Sequence, residues 1–203
     1  NFTKPTHKVA LDIWNGMEAN TWFPKEANTV ADKEPFQRLS DAERRMFDLA
    51  LAQLIFNDSE QANNLMDNVN PYITDPLFNA CLARQSYEES NHSKSYAVLV
   101  EDLSLNTDAI YDMHKTDIVL ANKNKQIASM YAELANENPT ELDIMKAMIA
   151  NNILEGIVFF GGFTALWSLG NKLKGTAKMI SFIARDEAGT HLPLFGNMFQ
   201  ISL

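Results

Sequence analysis

The sequence predicts an all-α protein, and three observations carry that reading. Helix-period apolar patterning runs through nearly the whole chain, with no strand-like alternation longer than a few residues. Glycine and proline are few, 8 and 7 in 203 residues, while hydrophobic residues make up 46%. Acidic residues and histidines recur at helical spacing inside otherwise apolar segments, which is how a bundle closes around a polar centre. A chain of this length suits one domain, so residues 1–203 are expected to fold as a unit. The net charge of -9 argues against nucleic acid or an anionic membrane as the main partner, because phosphate recognition needs a basic surface. A single cysteine, Cys81, excludes an internal disulfide and suits a reducing cytosol, so a cytoplasmic location is expected. No apolar run approaches the roughly 18 residues that span a bilayer, and no signal-peptide pattern opens the chain.

Taken in order, Lys8 to Ala19 places Val9, Leu11, Ile13, Trp14 and Met17 at amphipathic spacing, ending before TWFPKE. Asn20 to Phe36 reads as a connector punctuated by Pro24 and Pro35. Ser40 with Glu43 forms a capping box that opens a long helix through about Val69. Asp75 followed by Pro76 starts the next, to about Leu103. A more polar, peripheral helix begins at Thr107 or Asp108 and runs to about Ala135. Thr140 after Pro139 starts another, with Gly170 as its expected C-terminal cap, and Thr176 begins the last visible helix.

Chemistry concentrates in four of these segments. In RQSYEESNHSKSY, Glu89 and His92 stand three apart, one above the other on a helix, and can reach the same point. In IARDEAGTHL, Glu187 and His191 stand four apart and again share a face. Asp58 lies behind Leu54, Ile55 and Phe56, and Glu155 lies among Ile153, Leu154, Ile157 and Val158. A carboxylate buried without a partner is very costly, and neither acid has a Lys or Arg on its face within one turn. Metal ions would account for both. Oxygen-rich ligands with one imidazole per metal suit iron or manganese better than zinc. One Glu–His pair alone is usually a solvated helix face; it is the four segments together that favour a dinuclear metal site inside a four-helix core, the arrangement of ferritin-like di-iron and di-manganese bundles. His7 and His114, in polar surroundings, are expected to be exposed solvent-side residues.

On these residues the chain resembles the radical-generating small subunit of class I ribonucleotide reductase. The resemblance rests on Trp22 in TWFP ahead of Asp58, on Glu89 to Tyr96 as an ExxHSxSY segment, on Glu155 followed by Phe159, Phe160 and Phe163, and on the ARDE run Ala184 to Glu187. It implies a ferritin-like fold in which Asp58, Glu89, His92, Glu155, Glu187 and His191 hold two metals: iron, manganese or one of each. It further implies that Tyr96 carries a tyrosyl radical, that Phe159, Phe163 and Ile183 shield it, and that Trp22 and Asp186, with His92, begin an electron path. The implied partners are a separate large subunit that reduces ribonucleotides, a second copy in a homodimer, and an activating flavoprotein should manganese be the metal. One departure stands out. The family spaces Glu and His three apart in the last motif, and this chain spaces them four apart; on a regular α-helix either spacing lets the His converge on a metal, and a π-bulge eased by Gly189 would also absorb the extra residue. The helices expected after His191 are not visible. Two other classes fit the same ligands. A di-metal oxidase or monooxygenase would need an open channel, for which Gly156, Gly161 and Gly162 are candidates, and an iron-storage bundle would have no use for Tyr96.

Overall fold

A computed structural model describes residues 2–131 and 139–202, and among them every regular element is helical. Helix α1 spans Lys8–Ala19 as expected. The connector after it is more structured than its prolines suggest: tight turns at Pro24–Glu26 and Thr29–Asp32 lead into a short helix α2, Lys33–Gln37. Pro35 sits in the first turn of α2, where no intrahelical donor is needed, and so does not stop it. Helix α3, Asp41–Asn64, opens on the expected capping box, with Ser40 Oγ accepting from the Glu43 amide at 3.3 Å and Glu43 Oε2 accepting from the Ser40 amide at 3.0 Å. It continues to Val69 through a π-helical turn, Leu65–Val69. Helix α4, Pro76–Asp102, is capped by Asp75 Oδ1, which accepts from the amides of Leu77 and Phe78 at 2.8 and 3.1 Å.

The single polar helix expected next is two, α5 at Thr107–Thr116 and α6 at Ile118–Tyr131. Asp117 divides them: its backbone is extended, and its Oδ1 accepts from the amides of Val119 and Leu120 at 3.0 and 3.2 Å, ending one helix and capping the other. The expected end at Ala135 lies outside the described residues. Helix α7, Glu141–Ile153, begins at a Thr140–Asp143 capping box and passes through a π-helical turn, Leu154–Val158, into α8, Phe159–Trp167. The helix ends on Ser168, not on Gly170, and no described glycine has positive φ, so no left-handed cap is used here. Helix α9, Lys174–Asp186, starts two residues before Thr176 and runs through a third π-helical turn, Glu187–His191, into α10, Leu192–Ser202. The chain therefore stays helical past His191.

Two further expectations are corrected. The continuous helix Glu141–Trp167 is, by length and composition, long and apolar enough to cross a membrane, although 44% of that apolar window is buried against the rest of the protein. His7 and His114 are half-buried rather than free: the His7 ring lies 5.8 Å from that of Phe78, and His114 stacks on Phe56 at 4.9 Å.

Four rods form the centre: α3, α4, α7–α8 and α9–α10. Each crosses the same three layers. On one side an apolar cluster gathers Phe47, Leu51, Tyr96, Leu99, Phe159, Phe163, Ile180 and Ile183; on the other, a second gathers Leu65, Leu77, Phe78, Leu82, Met148, Leu194 and Phe195. Between them lies a buried polar layer of Asp58, Gln61, Gln85, Glu88, Glu89, His92, Asn151, Glu155, Asp186, Glu187 and His191. The order of layers along each rod makes α3 and α9–α10 run one way, and α4 and α7–α8 the other. Cys81 is buried in the second cluster, where burial pushes its thiol up to about 12.

Candidate metal centre

The polar layer brings together every residue singled out as a metal ligand. Asp58, Glu89, His92, Glu155, Glu187 and His191 are all fully buried. Ligand-capable atoms of Glu89, Glu155, Glu187 and His191 lie within 4.8 Å of one another, and those of Asp58, Glu89 and His92 do so in a second group. Glu89 belongs to both. Its Oε2 lies 3.4 Å from His92 Nδ1, and its Oε1 lies 3.3 Å from His191 Nδ1. Glu187 is placed the same way, with Oε1 at 3.2 Å from His92 Nδ1 and Oε2 at 2.7 Å from His191 Nδ1. These two carboxylates span the pair of positions, while Asp58 sits on the His92 side, 3.8 Å from Nδ1, and Glu155 sits with His191.

Two of the helix irregularities fall on these residues. Glu155 lies in the π-helical turn Leu154–Val158, and Glu187 and His191 bound the turn Glu187–His191, closed by the Leu192 amide bonding to the Glu187 carbonyl. A π-helical turn holds one residue more than an α-helical turn, so a four-residue step covers the angle that three residues cover elsewhere. That is why His191 converges on Glu187 despite the longer spacing.

The electrostatics describe a centre that needs cations. Burial raises the carboxyl pKa of Asp58 well above the usual range, with the charge of Glu89 adding to it. Burial, then the charges of Glu187 and Glu89, do the same to Glu155. Burial opposes the ionised form of Glu187 as well, but the positive charge of His191 together with the polar groups of Glu155, His191 and His92 around the carboxylate outweighs it and lowers that pKa. Burial disfavours the imidazolium of His92, yet the carboxylates of Asp186, Glu187 and Glu89 around the ring raise its pKa well above normal. His191 is raised against burial by Glu187, Glu88 and Glu89. Protons thus supply the positive charge in the chain alone. Both oxygens of Asp58, Glu89 Oε2, His92 Nδ1, Glu155 Oε2 and Glu187 Oε1 are buried without a hydrogen-bond partner and converge on one space. Four carboxylates and two imidazoles so arranged fit two divalent cations, whose binding would displace those protons.

The remaining expected residues surround this centre. Trp22 Nε1 donates to Asp186 Oδ2 at 2.6 Å, the same oxygen lies 3.2 Å from His92 Nε2, and the Trp22 and His92 rings stack at 6.1 Å. Tyr96 is fully buried, and its hydroxyl makes no hydrogen bond of ordinary geometry. Burial and the nearby charges of Asp58 and Glu187 push its phenol well above the usual range. Phe159, Phe163 and Ile183 have no exposed surface and share the apolar cluster of Tyr96. The glycines offered for a channel are mostly closed: a Cβ on Gly156 would come 3.1 Å from Leu192, and one on Gly162 would come 3.0 Å from Leu54; only Gly161 faces open space.

Sequence reasoning missed the residues that brace the ligands. Gln61 and Gln85 donate to Glu155 Oε1 at 2.8 and 3.0 Å, and Gln61 also bonds Asn151. Glu88 Oε2 lies 2.9 Å from His191 Nε2 while Arg84 Nε donates to Glu88 Oε1 at 2.9 Å. One signal could have found Glu88: like Asp186, it is an acid directly before a candidate ligand glutamate.

Known proteins agree with this geometry. The family model described as ribonucleotide reductase, small chain, matches residues 1–203. A ribonucleoside-diphosphate reductase subunit beta from Treponema pallidum is 37% identical over 186 residues, covering 89% of this chain and 52% of that protein. The subunit beta of Aquifex aeolicus is 34% identical over 184 residues, 88% of this chain and 26% of its own length. This chain therefore spans about half, or less, of these two relatives. A ribonucleotide reductase R2 subunit from Clostridium botulinum superimposes with a TM-score of 0.91 at 34% identity, over 98% of this chain and 63% of that one. A dimanganese(II)-NrdF from Streptococcus sanguinis does so with a TM-score of 0.86 at 25% identity, over 99% of this chain and 69% of that one. With a family match along its whole length and a ferritin-like bundle that buries acids and histidines where two metals would sit, the chain belongs to the ribonucleotide reductase small-chain family.

Proposed function

We propose that residues 1–203 form a single ferritin-like domain that acts in the cytoplasm as the radical-generating small subunit of a ribonucleoside-diphosphate reductase. The observation that carries this reading is the placement of a buried, unbonded Tyr96 hydroxyl beside Asp58, inside a cluster that also holds Phe159, Phe163 and Ile183. A storage site has no need of such a residue. Asp58, Glu89, His92, Glu155, Glu187 and His191 hold two metal ions, iron, manganese or one of each. When bound, the metals would supply one-electron oxidising chemistry, with dioxygen or another oxidant as the final acceptor, and Tyr96 would be the residue that gives up the electron. The phenolic proton leaves towards Asp58, the carboxylate whose charge acts most strongly on the phenol. Phe159, Phe163 and Ile183 keep water and small reductants from the resulting tyrosyl radical.

Trp22, Asp186 and His92 form the inner end of a path along which an electron later returns to Tyr96 from a separate large subunit, where the ribonucleotide is reduced. Hydrogen bonds of 2.6 and 3.2 Å make that path continuous from the indole to the metal ligand. A homodimer is expected as well, and the exposed row Leu142, Ile149 and Ile157 along one rod offers apolar surface for it. With manganese as the working metal, an activating flavoprotein would deliver the oxidant. The test is electron paramagnetic resonance on metal-quantified protein, loaded separately with ferrous iron plus oxygen and with manganese. Tyr96→Phe should keep both metals and lose the radical signal; a radical that persists in this variant would sink the assignment. Two metals without any radical would favour the oxidase class.

A further inference from the structure

Each candidate ligand histidine is backed by a carboxylate from the opposite rod, and the two rods exchange these supports. Asp186, directly before Glu187, faces His92 Nε2 of α4 at 3.2 Å. Glu88, directly before Glu89 on α4, faces Nε2 of His191 at 2.9 Å. Outer partners then differ. Trp22 donates to Asp186, whereas Glu88 is gripped by Arg84, whose Nη2 also donates to Thr21 Oγ1 at 2.8 Å and the Met17 carbonyl at 3.4 Å near the end of α1.

We propose that Glu88, fixed by Arg84, is the positioning residue for His191 and thereby for the second metal, an inference that rests on the metal-centre reading above. By accepting from Nε2–H, Glu88 holds the ring so that Nδ1 faces between Glu89 Oε1 at 3.3 Å and Glu187 Oε2 at 2.7 Å, the position from which it would offer its lone pair to a metal once the metal has displaced its proton. The π-helical turn is the reason such support is needed. His191 sits at its far end, where helix spacing alone does not set the ring, and a buried carboxylate on a neighbouring rod does. Glu88 is 4% exposed, so its charge requires a cation, and Arg84 provides one without adding a redox-active ring. The support of His92 can therefore conduct electrons through Trp22, while that of His191 only orients.

The test is a titration of metal-free wild-type, Glu88→Ala, Glu88→Gln and Arg84→Ala protein with manganese(II), following free Mn2+ by electron paramagnetic resonance and folding by circular dichroism. Wild type should bind two ions. Glu88→Ala should weaken one site about 10–100-fold and leave the other within about threefold, the size expected for losing a histidine's outer partner. Glu88→Gln keeps an oxygen acceptor and should restore most of that affinity. Arg84→Ala, on a partly exposed side chain, should weaken the same site by a smaller factor. Unchanged affinities at both sites in Glu88→Ala and Arg84→Ala would overturn the inference, as would a Glu88→Gln variant as weak as Glu88→Ala. Wild type that binds no pair of ions would instead overturn the metal-centre reading itself.

Discussion

Asp32 fixes the start of a rod that carries two of the six candidate ligands, Glu187 and His191. Its buried carboxylate accepts from the amides of Gly175 and Thr176 at 3.0 and 2.6 Å, satisfying two donors at the start of α9 that have no partner within the helix. Asp32→Ala should cost about 1–3 kcal/mol, because two buried donors lose their acceptor. Gly175 makes the approach possible, since a Cβ there would lie 2.2 Å from the Asn28 carbonyl oxygen and 2.9 Å from Thr29 Cα. Gly175→Ala should cost at least about 2 kcal/mol, because the neighbours are backbone and cannot rotate aside. Urea unfolding checks both, as a lower midpoint at unchanged slope. Neither residue was legible in the sequence, since each works through a segment over 140 positions away. The clustering of the candidate ligands was legible for the opposite reason: an acid in an apolar helix carries its cost on its face. Glu88 and Arg84 escaped because, four apart on α4, they look like an ordinary surface ion pair until His191 is placed beside them.

At the scale of elements, helix starts were legible wherever the cap is local. Ser40, Asp75 and Thr140 all cap as their sequence neighbours require. Glu43 lends its cap a pH dependence. Its bond to Lys172, then those to the Ser40 amide and hydroxyl, hold its carboxyl at about 2 against an ordinary 4.5. The folded value lies below the unfolded one, so the unfolded chain binds this proton more tightly. The stabilisation is therefore complete above 4.5 and is lost as pH falls towards 2. Glu43→Gln should show a lower Tm than wild type at pH 7, and the gap should close between pH 4.5 and 2. Where the cap is remote, as at α9, or the helix break is a single Asp117, the boundaries moved. The four-residue spacing marked the Glu187–His191 step as unusual but left a regular helix and a π-helical turn both open, and the structure has the π-helical turn. It also makes a prediction. Deleting Gly189 should turn the bulge into regular α-helix, leave the registers of α9 and α10 intact, and preserve binding of two metals. A deletion variant that folds but binds one ion would show that the wider turn itself places His191.

For the whole molecule, the layered order of the four rods makes the metal centre part of the fold. Two apolar clusters lie on either side of a slab of buried acids and imidazoles, so the halves of the bundle meet mainly through this polar layer, with Ile127 packed against both clusters at its edge. This layering could be foreseen from the positions of Asp58, Glu89, Glu155 and Glu187 midway along their segments; the exchange of supports across the slab could not, because it depends on how the rods turn about their axes. The slab is stable only when its negative charge is balanced, by protons on His92 and His191 or by metal. A ligand that binds only the folded chain adds about 2.7 kcal/mol per site at a free concentration one hundred times its dissociation constant. For a chain of this size that corresponds to about 5–10 °C in Tm per site. Removing the metals with a chelator should lower Tm by at least that amount, and restoring two equivalents of manganese should recover it. Glu155→Gln, which removes a carboxyl that burial and the neighbouring acids make costly to ionise, should raise the Tm of the chelated protein and shrink the gain on adding manganese. Differential scanning calorimetry reads both effects. A chelated protein that melts no earlier than the loaded one would mean that protons balance the slab as well as metals do, and that the centre is built for chemistry without contributing to the fold.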